Sequence, residues 1–243
     1  SIANTISADI TLRPVNLSGS RVYDGTTDAA ASDLSLGNLV SGENISLSGT
    51  GTLGSAAVGS QTITNIGSLE ISDGSSSASN YSLTGALSMA ITKRPVTVTG
   101  SKFYDGTTNA AASNLTSFTN LVSGETLSLS GNGSVASSAV GSNKSVSHQT
   151  LALANGSGAA SNYSLGNVTI NINKRILSLD GIRAFDGNTT VSSSDISTFG
   201  NIVSEESLTL SGSGTVTNAN AGMNKSLTLG SLSLSDGSGN ASN

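Results

Sequence analysis

Tyr23-Asp24-Gly25 recurs as Tyr104-Asp105-Gly106 and again as Phe185-Asp186-Gly187, each 81 residues after the last. An aspartate held at one place in a motif is a candidate general base or nucleophile. Its neighbours argue against that chemistry. No histidine, serine–base pair or second carboxylate repeats within the motif's reach. The structural alternative is an Asx turn, in which the carboxylate accepts a nearby backbone N–H, glycine takes a positive φ and the following Thr hydroxyls finish the turn. A basic residue, Arg21, Lys102 or Arg183, stands three before each aspartate. It can pair with that aspartate or with the recurring Glu43, Glu125 and Glu206. A surface pair of that kind contributes only ~0–1 kcal/mol.

Other chemistries lack their residues. With no Cys there is no disulfide, zinc–thiolate site or thiol nucleophile. The single histidine, His148, falls where Ile66 and Leu229 stand in the other units and reads as a half-buried strand residue. Gly49-Thr50-Gly51, Gly131-Asn132-Gly133 and Gly212-Ser213-Gly214 resemble phosphate-cradling loops, but no helix follows to present its N-terminus. They read as hairpin or bulged turns. Calcium needs six to eight oxygens, usually with several carboxylates, and the acids here are scattered. Lys93 and Lys174 are the remaining candidates for an isopeptide bond to asparagine, since arginine cannot replace the amine. Sequons such as Asn16-Leu17-Ser18 reflect the abundance of Asn, Ser and Thr. No catalytic, cofactor-binding or metal site is expected.

The elements that must position the motif are strands. Ser (49), Thr (26), Asn (23) and Gly (29) make up about half of the 243 residues. Charged residues are only 10%, and the 35% hydrophobic residues alternate with polar ones, which separates the chain from disordered sequences of high net charge. Each unit opens after Arg13, Arg94 or Arg175 with Val15/Leu17, Val96/Val98 or Leu177/Leu179. A later strand carries Ile45/Leu47, Leu127/Leu129 or Leu208/Leu210. The last carries Leu87/Met89/Ile91 or Val168/Ile170/Ile172. Period-2 alternation puts one face of each strand inward. About seven strands per unit, with turns every 8–12 residues, predict an all-β chain of three tandem Ig-like β-sandwich domains of about 81 residues each, forming an elongated rod. Net charge −5 without a basic patch excludes nucleic acid. No apolar run approaches the ~20 residues of a membrane span.

The frame is offset by one strand. Residues 1–12 read as the last strand of a preceding repeat, because Ile6, Ala8 and Ile10 lie 81 residues before Leu87, Met89 and Ile91. Residues 13–93 and 94–174 are complete repeats. Residues 175–243 are a third repeat without its final strand. The expectation of a window from a longer array stands beside a sharper one. In the latter, Ile2, Ile6, Ala8 and Ile10 of one molecule complete the third repeat of the next by strand exchange, so that the partners are neighbouring repeats of the same or an adjacent chain.

The pattern Lys102-Phe103-Tyr104-Asp105-Gly106-Thr107-Thr108, Gly141-Ser142-Asn143-Lys144-Ser145-Val146, Asn162-Tyr163-Ser164-Leu165 and Ile172-Asn173-Lys174 resembles the YDG-type repeat domain of large bacterial surface exoproteins. It is also similar to mostly bacterial immunoglobulin-like repeats. The resemblance covers essentially the whole chain three times. The third unit departs from it, with Phe185 for Tyr and Asn188 for Thr. It implies the non-catalytic stalk of a secreted, filamentous-haemagglutinin-like adhesin at a Gram-negative surface. Host or biofilm matrix would then be bound through other regions. The sequence-level alternative is an extracellular filament subunit.

Overall fold

The computed structural model describes residues 7–243, and they are all-β. Ile2 and Ile6 lie outside the described residues. The first repeat comprises β1 (Arg13–Pro14), β2 (Asn16–Val22), β3 (Asp28–Ala30), β4 (Leu34–Gly37), β5 (Ile45–Ser48), β6 (Thr50–Leu53), β7 (Gly59–Asn65), β8 (Glu70–Asp73), β9 (Tyr81–Ser82) and β10 (Ser88–Thr92). The second comprises β11 (Arg94–Phe103), β12 (Asn109–Ala111), β13 (Ser117–Thr119), β14 (Leu127–Ser130), β15 (Asn132–Val135), β16 (Gly141–Ser147), β17 (Ala152–Asn155) and β18 (Tyr163–Asn173). The third comprises β19 (Ser178–Gly181), β20 (Thr190–Ser192), β21 (Ile196–Gly200), β22 (Leu208–Ser211), β23 (Ser213–Val216), β24 (Leu227–Thr228) and β25 (Ser233–Asp236). Among the described residues the only helical elements are three-residue 3₁₀ turns such as Ala78–Asn80.

The chain divides into two compact units, and residues of the second repeat fall in both. In the first unit, one sheet runs β3-β6-β7-β10-β2-β4, and β5 pairs only with β8. The last strand of the repeat is central to that sheet. β10 runs parallel to β2, with Ile91 opposite Arg21, and antiparallel to β7, with Met89 opposite Gln61. Leu17, Ile63, Leu69 and Met89 bury one face of it, and Leu47 of β5 packs against them. Val15, Ile45 and Tyr81 form a second cluster beside Ile71 of β8. The all-β arrangement fits an Ig-like domain with an aliphatic core.

The turn expected at Gly49-Thr50-Gly51 is not a hairpin. β5 and β6, on either side of it, do not pair with each other; β6 pairs with β3 and β7. Gly49 is a corner where the chain leaves one sheet for the next. It holds φ +87°, and a Cβ there would lie 2.0 Å from the Ser68 carbonyl oxygen. Gly131 and Gly212 repeat the corner, with φ +83° and +86°. The backbone crosses so close to the following turn that a side chain has no room, which is why glycine recurs here.

In the second unit, β15 pairs with β12 and β16, and β16 pairs with β18. The third repeat repeats these pairings except those of a last strand. β19 pairs with β21, β23 with β20 and β24, and β22 with β25. β24 has two residues where β7 and β16 have seven. Among the described residues, β24 pairs with β23 alone.

Candidate functional site: the joint between successive repeats

Each Tyr/Phe-Asp-Gly motif folds as a turn. The Thr26 N–H and hydroxyl both donate to Asp24 Oδ1 at 2.9 Å, and Gly25 holds φ +81°. Thr107 does the same to Asp105, again at 2.9 Å. In the third motif the Asn188 N–H donates to Asp186 Oδ1 at 2.9 Å. The basic residue pairs with the aspartate three places on, not with the recurring glutamate. Lys102 is the most enclosed of them. Its buried Nζ donates to Asp105 Oδ1 at 2.8 Å and to the carbonyls of Thr107 at 2.9 Å and Asn109 at 2.7 Å. Burial alone would raise the Asp105 carboxyl, but Lys102 and the Thr107 donors outweigh it and hold the group below its ordinary range. Asp24 is lowered in the same way, burial being outweighed by Thr26 and Arg21. Asp186 is lowered chiefly by the Asn188 N–H. These aspartates are therefore firm anions tied to backbone donors. That suits a turn and not a proton acceptor.

The tyrosine of the motif has a second task. Tyr23 is buried, and its hydroxyl donates to Glu125 Oε1 of the second repeat at 2.6 Å. The other oxygen of the same carboxylate accepts from Tyr163 at 2.6 Å. The two rings meet edge to face at 5.4 Å between centroids. One glutamate thus ties the motif of one repeat to the last 3₁₀ turn of the next. Burial pushes the Tyr163 phenol up to about 12, and the Glu125 carboxylate adds to the shift. Tyr23 is raised by the same two causes in the same order.

Three further contacts complete the joint. Arg94 Nη1 donates to the Tyr23 carbonyl at 3.3 Å. The Val58 N–H donates to Asn162 Oδ1 at 3.0 Å. Val122 Cγ1 packs on Gly25, where a Cβ would come within 2.9 Å of it. The same set recurs from the second repeat to the third. Tyr104 donates to Glu206, Arg175 Nη1 to the Tyr104 carbonyl at 3.1 Å, and the Val140 N–H to Asn243 Oδ1 at 3.0 Å. Val203 there faces Gly106.

The arginine is aimed by an asparagine that sequence reading passed over. Arg94 Nε and Nη2 donate to the Asn120 carbonyl and Oδ1 at 2.7 and 2.9 Å, and Asn120 Nδ2 donates back to the Pro95 carbonyl at 2.7 Å. Asn38 and Asn201 do the same for Arg13 and Arg175. All three asparagines hold a positive φ between 63° and 66°. Their near-81-residue recurrence was the available signal, and it was hidden by the abundance of Asn. Val122 and Asn162 were visible only as repeat positions, because their partners belong to the neighbouring repeat.

The remaining candidates do not join the site. Phe185 is 69% exposed and has no hydroxyl to donate, whereas Tyr23 and Tyr104 are covered by the repeat that follows. Ala8 and Ile10 are exposed and lie in no strand. His148 is half-buried, but it lies in the turn after β16 and not in a strand, its carbonyl accepting from the Leu151 N–H. Lys93 and Lys174 are exposed. Among the described residues no group of three or more His, Asp or Glu is placed to hold a metal ion. No described helix is long and apolar enough to cross a membrane. A cavity of about 460 Å³ beside Gly100 is lined by Thr99, Ser101, Asn114, Asn171 and like residues, none of them ionisable.

A family model matches the chain three times. The YDG domain matches residues 7–89, 91–170 and 177–243. The chain belongs to the YDG domain family. No curated protein matches it, and no solved structure does. Three tandem YDG domains make it a repeat-containing structural protein.

Proposed function

We propose that these YDG repeats form part of a non-catalytic stalk in a secreted bacterial surface adhesin, holding a binding region away from the cell. The observation that carries the reading is the joint. Repeat one grips repeat two, and repeat two grips repeat three, through the same hydroxyl–carboxylate, guanidinium–carbonyl and amide contacts. A joint used identically at each step extends an array by nearest-neighbour contacts, so length grows with repeat number. The motif residues serve that joint and its turns, which leaves none for turnover. The Ser-, Thr- and Asn-rich surface and net charge of −5 suit an extracellular module that must not aggregate along its strand edges. The extracellular location is part of this proposal and rests on the resemblance of the repeats to those of bacterial surface exoproteins.

Small-angle scattering of the isolated chain at low concentration tests the reading. Domains arranged end to end are expected to give a radius of gyration clearly above the roughly 18 Å of a compact particle of this length. A compact particle of the same mass would overturn it.

A further inference from the structure

In the first repeat, the segment by which the chain enters lies beside the segment by which it leaves, and the two run parallel. Arg13 and Pro14 of β1 stand opposite Tyr81 and Ser82 of β9. Leu17 bridges Leu87 in parallel, and Ser20, Arg21 and Val22 of β2 face Ala90, Ile91 and Thr92 of β10. Backbone bonds run the length of this contact. The Val15 N–H donates to the Ser82 carbonyl at 2.8 Å, Leu17 to Ala86 at 2.9 Å and Tyr23 to Thr92 at 2.9 Å. Side chains add two more. Asn16 Oδ1 accepts from the Ala86 N–H at 2.9 Å, and the Thr92 hydroxyl donates to the Arg21 carbonyl at 3.2 Å. Val15 and Leu17 on one side of the contact and Met89 and Ile91 on the other are all buried.

The second repeat places its first and last strands alike. β18 adjoins β11 in its sheet, and the Tyr104 N–H donates to the Asn173 carbonyl at 2.9 Å, the counterpart of Tyr23 to Thr92. Gly166 passes as close to the Val96 carbonyl as Gly85 does to that of Val15, a Cβ at either lying within 3 Å of the oxygen. One residue, Lys93, separates the end of β10 from the start of β11. Tension carried along the chain therefore enters each of the first two repeats at the start of its first strand and leaves at the end of its last. In parallel neighbours those points are opposite ends of one ladder, whose bonds are evenly spaced along the strands. The force acts along the strands and loads the bonds together, not one after another from an end. Sliding would also drag Leu17 and Met89 out of close-packed contacts.

We infer that the paired first and last strands of a repeat act as a tension-bearing clamp, so that the repeat resists force along the chain far better than force that parts the same strands from one end. Forced unfolding is governed by the unfolding barrier and not by equilibrium stability. The clamp raises that barrier for one direction of load, and a repeat of modest equilibrium stability then still yields slowly when pulled. The use of such a clamp rests on the stalk reading, since a stalk is pulled between the surface and whatever it holds. The mechanics do not. A compact particle in scattering would remove the stalk and leave the measurement below untouched, because its handles lie within one repeat. A chain that is elongated in scattering yet equally weak in both directions would keep the stalk and lose the clamp.

Single-molecule pulling of the 243-residue chain from two pairs of points tests it. The chain has no cysteine, so introduced cysteines give unique handles. Thr11→Cys with Lys93→Cys holds the clamp at opposite ends and shears it. Thr11→Cys with Thr84→Cys holds both strands at the same end and peels them apart. All three positions are exposed, and the urea midpoints of the two variants check that the fold is unaltered. At one pulling speed, the first pair should unfold the repeat at a severalfold higher force than the second. Two further substitutions separate the clamp from general stability, each leaving one backbone N–H without its side-chain acceptor. Asn16→Ala frees the Ala86 N–H inside the clamp, and Ser68→Ala frees the Thr50 N–H outside it. Asn16→Ala should lower the shearing force, whereas Ser68→Ala should lower the urea midpoint and leave that force unchanged. Equal forces from the two pairs of handles overturn the inference. So does a shearing force that Asn16→Ala and Ser68→Ala lower alike.

Discussion

At the scale of single residues, the chain spends its few ionisable groups on turns and joints. Lys102 is buried and needs all its acceptors, of which Asp105 is the charged one. Asp105→Asn should cost about 1–3 kcal/mol in urea unfolding, the range for losing a charged hydrogen-bond partner of a buried group. The Asp105 carboxyl is held below its ordinary range in the fold, so its stabilisation is present above the unfolded value near 3.8 and is lost as pH falls through the folded one. Acid unfolding should therefore begin below about pH 4 and flatten in Asp105→Asn. Tyr163 works in the opposite direction. Its phenol titrates near 12 when folded against 10.0 ordinarily, so the neutral form favours the fold. That contribution is complete below pH 10 and disappears as pH rises towards 12. An ultraviolet titration of tyrosinate should show late ionisation that Tyr163→Phe reduces by one group. If all four tyrosines ionise together near pH 10, the buried Glu125–Tyr163 contact is refuted.

At the scale of elements, much of the architecture was readable and its pairing was not. The repeat of Tyr23, Tyr104 and Phe185, the alternating strands and the Asx turn at Asp24 depend on local spacing, which sequence carries directly. The order β3-β6-β7-β10-β2-β4 depends on contacts between distant residues, and no local pattern encodes the parallel pairing of β10 with β2. Gly49-Thr50-Gly51 shows the limit, because a hairpin turn and a corner between sheets both call for glycine. The roles of Asn38, Asn120 and Asn201 were masked for a different reason: 23 asparagines blur any one recurrence. The corner makes its own prediction. Gly131→Ala must bear both φ +83° and a Cβ 2.1 Å from the Thr150 carbonyl oxygen. Gly124→Ala bears φ +82° alone, with nothing within 4 Å. The second substitution should cost roughly 1–2 kcal/mol, the penalty of the left-handed conformation. The first should cost clearly more in the same urea experiment. Equal costs would mean that the backbone does not cross at Gly131 as described.

At the scale of the whole molecule, the repeats are coupled by shared residues rather than merely strung together. Val96, Leu127 and Tyr163 of the second repeat sit in one buried cluster with Leu17, Tyr23 and Met89 of the first. In such an array, stability is a sum of repeat terms and interface terms, and weakening an interface releases its repeats to unfold separately. The recurring glutamates form a graded test of that interface. Glu125 accepts from two tyrosines, one in each repeat, whereas Glu43 accepts from Tyr81 alone within its own repeat. Glu206 accepts from Tyr104 across the second joint. Each hydrogen bond to a charged group contributes about 1.5–3 kcal/mol. Glu125→Ala should therefore cost the most in total stability, Glu206→Ala and Glu43→Ala less. The shapes of the transitions should differ as well as the midpoints. Glu43→Ala lowers the stability of the first repeat but leaves its joint to the second intact, so the transition moves without broadening. Glu125→Ala cuts the joint itself, so the first repeat should melt apart from the second, as a broader or two-step denaturant curve followed by hydrogen exchange in β10. If Glu125→Ala and Glu43→Ala shift the curve alike with no change of shape, the shared carboxylate couples nothing, and the joint is held by its apolar contacts alone.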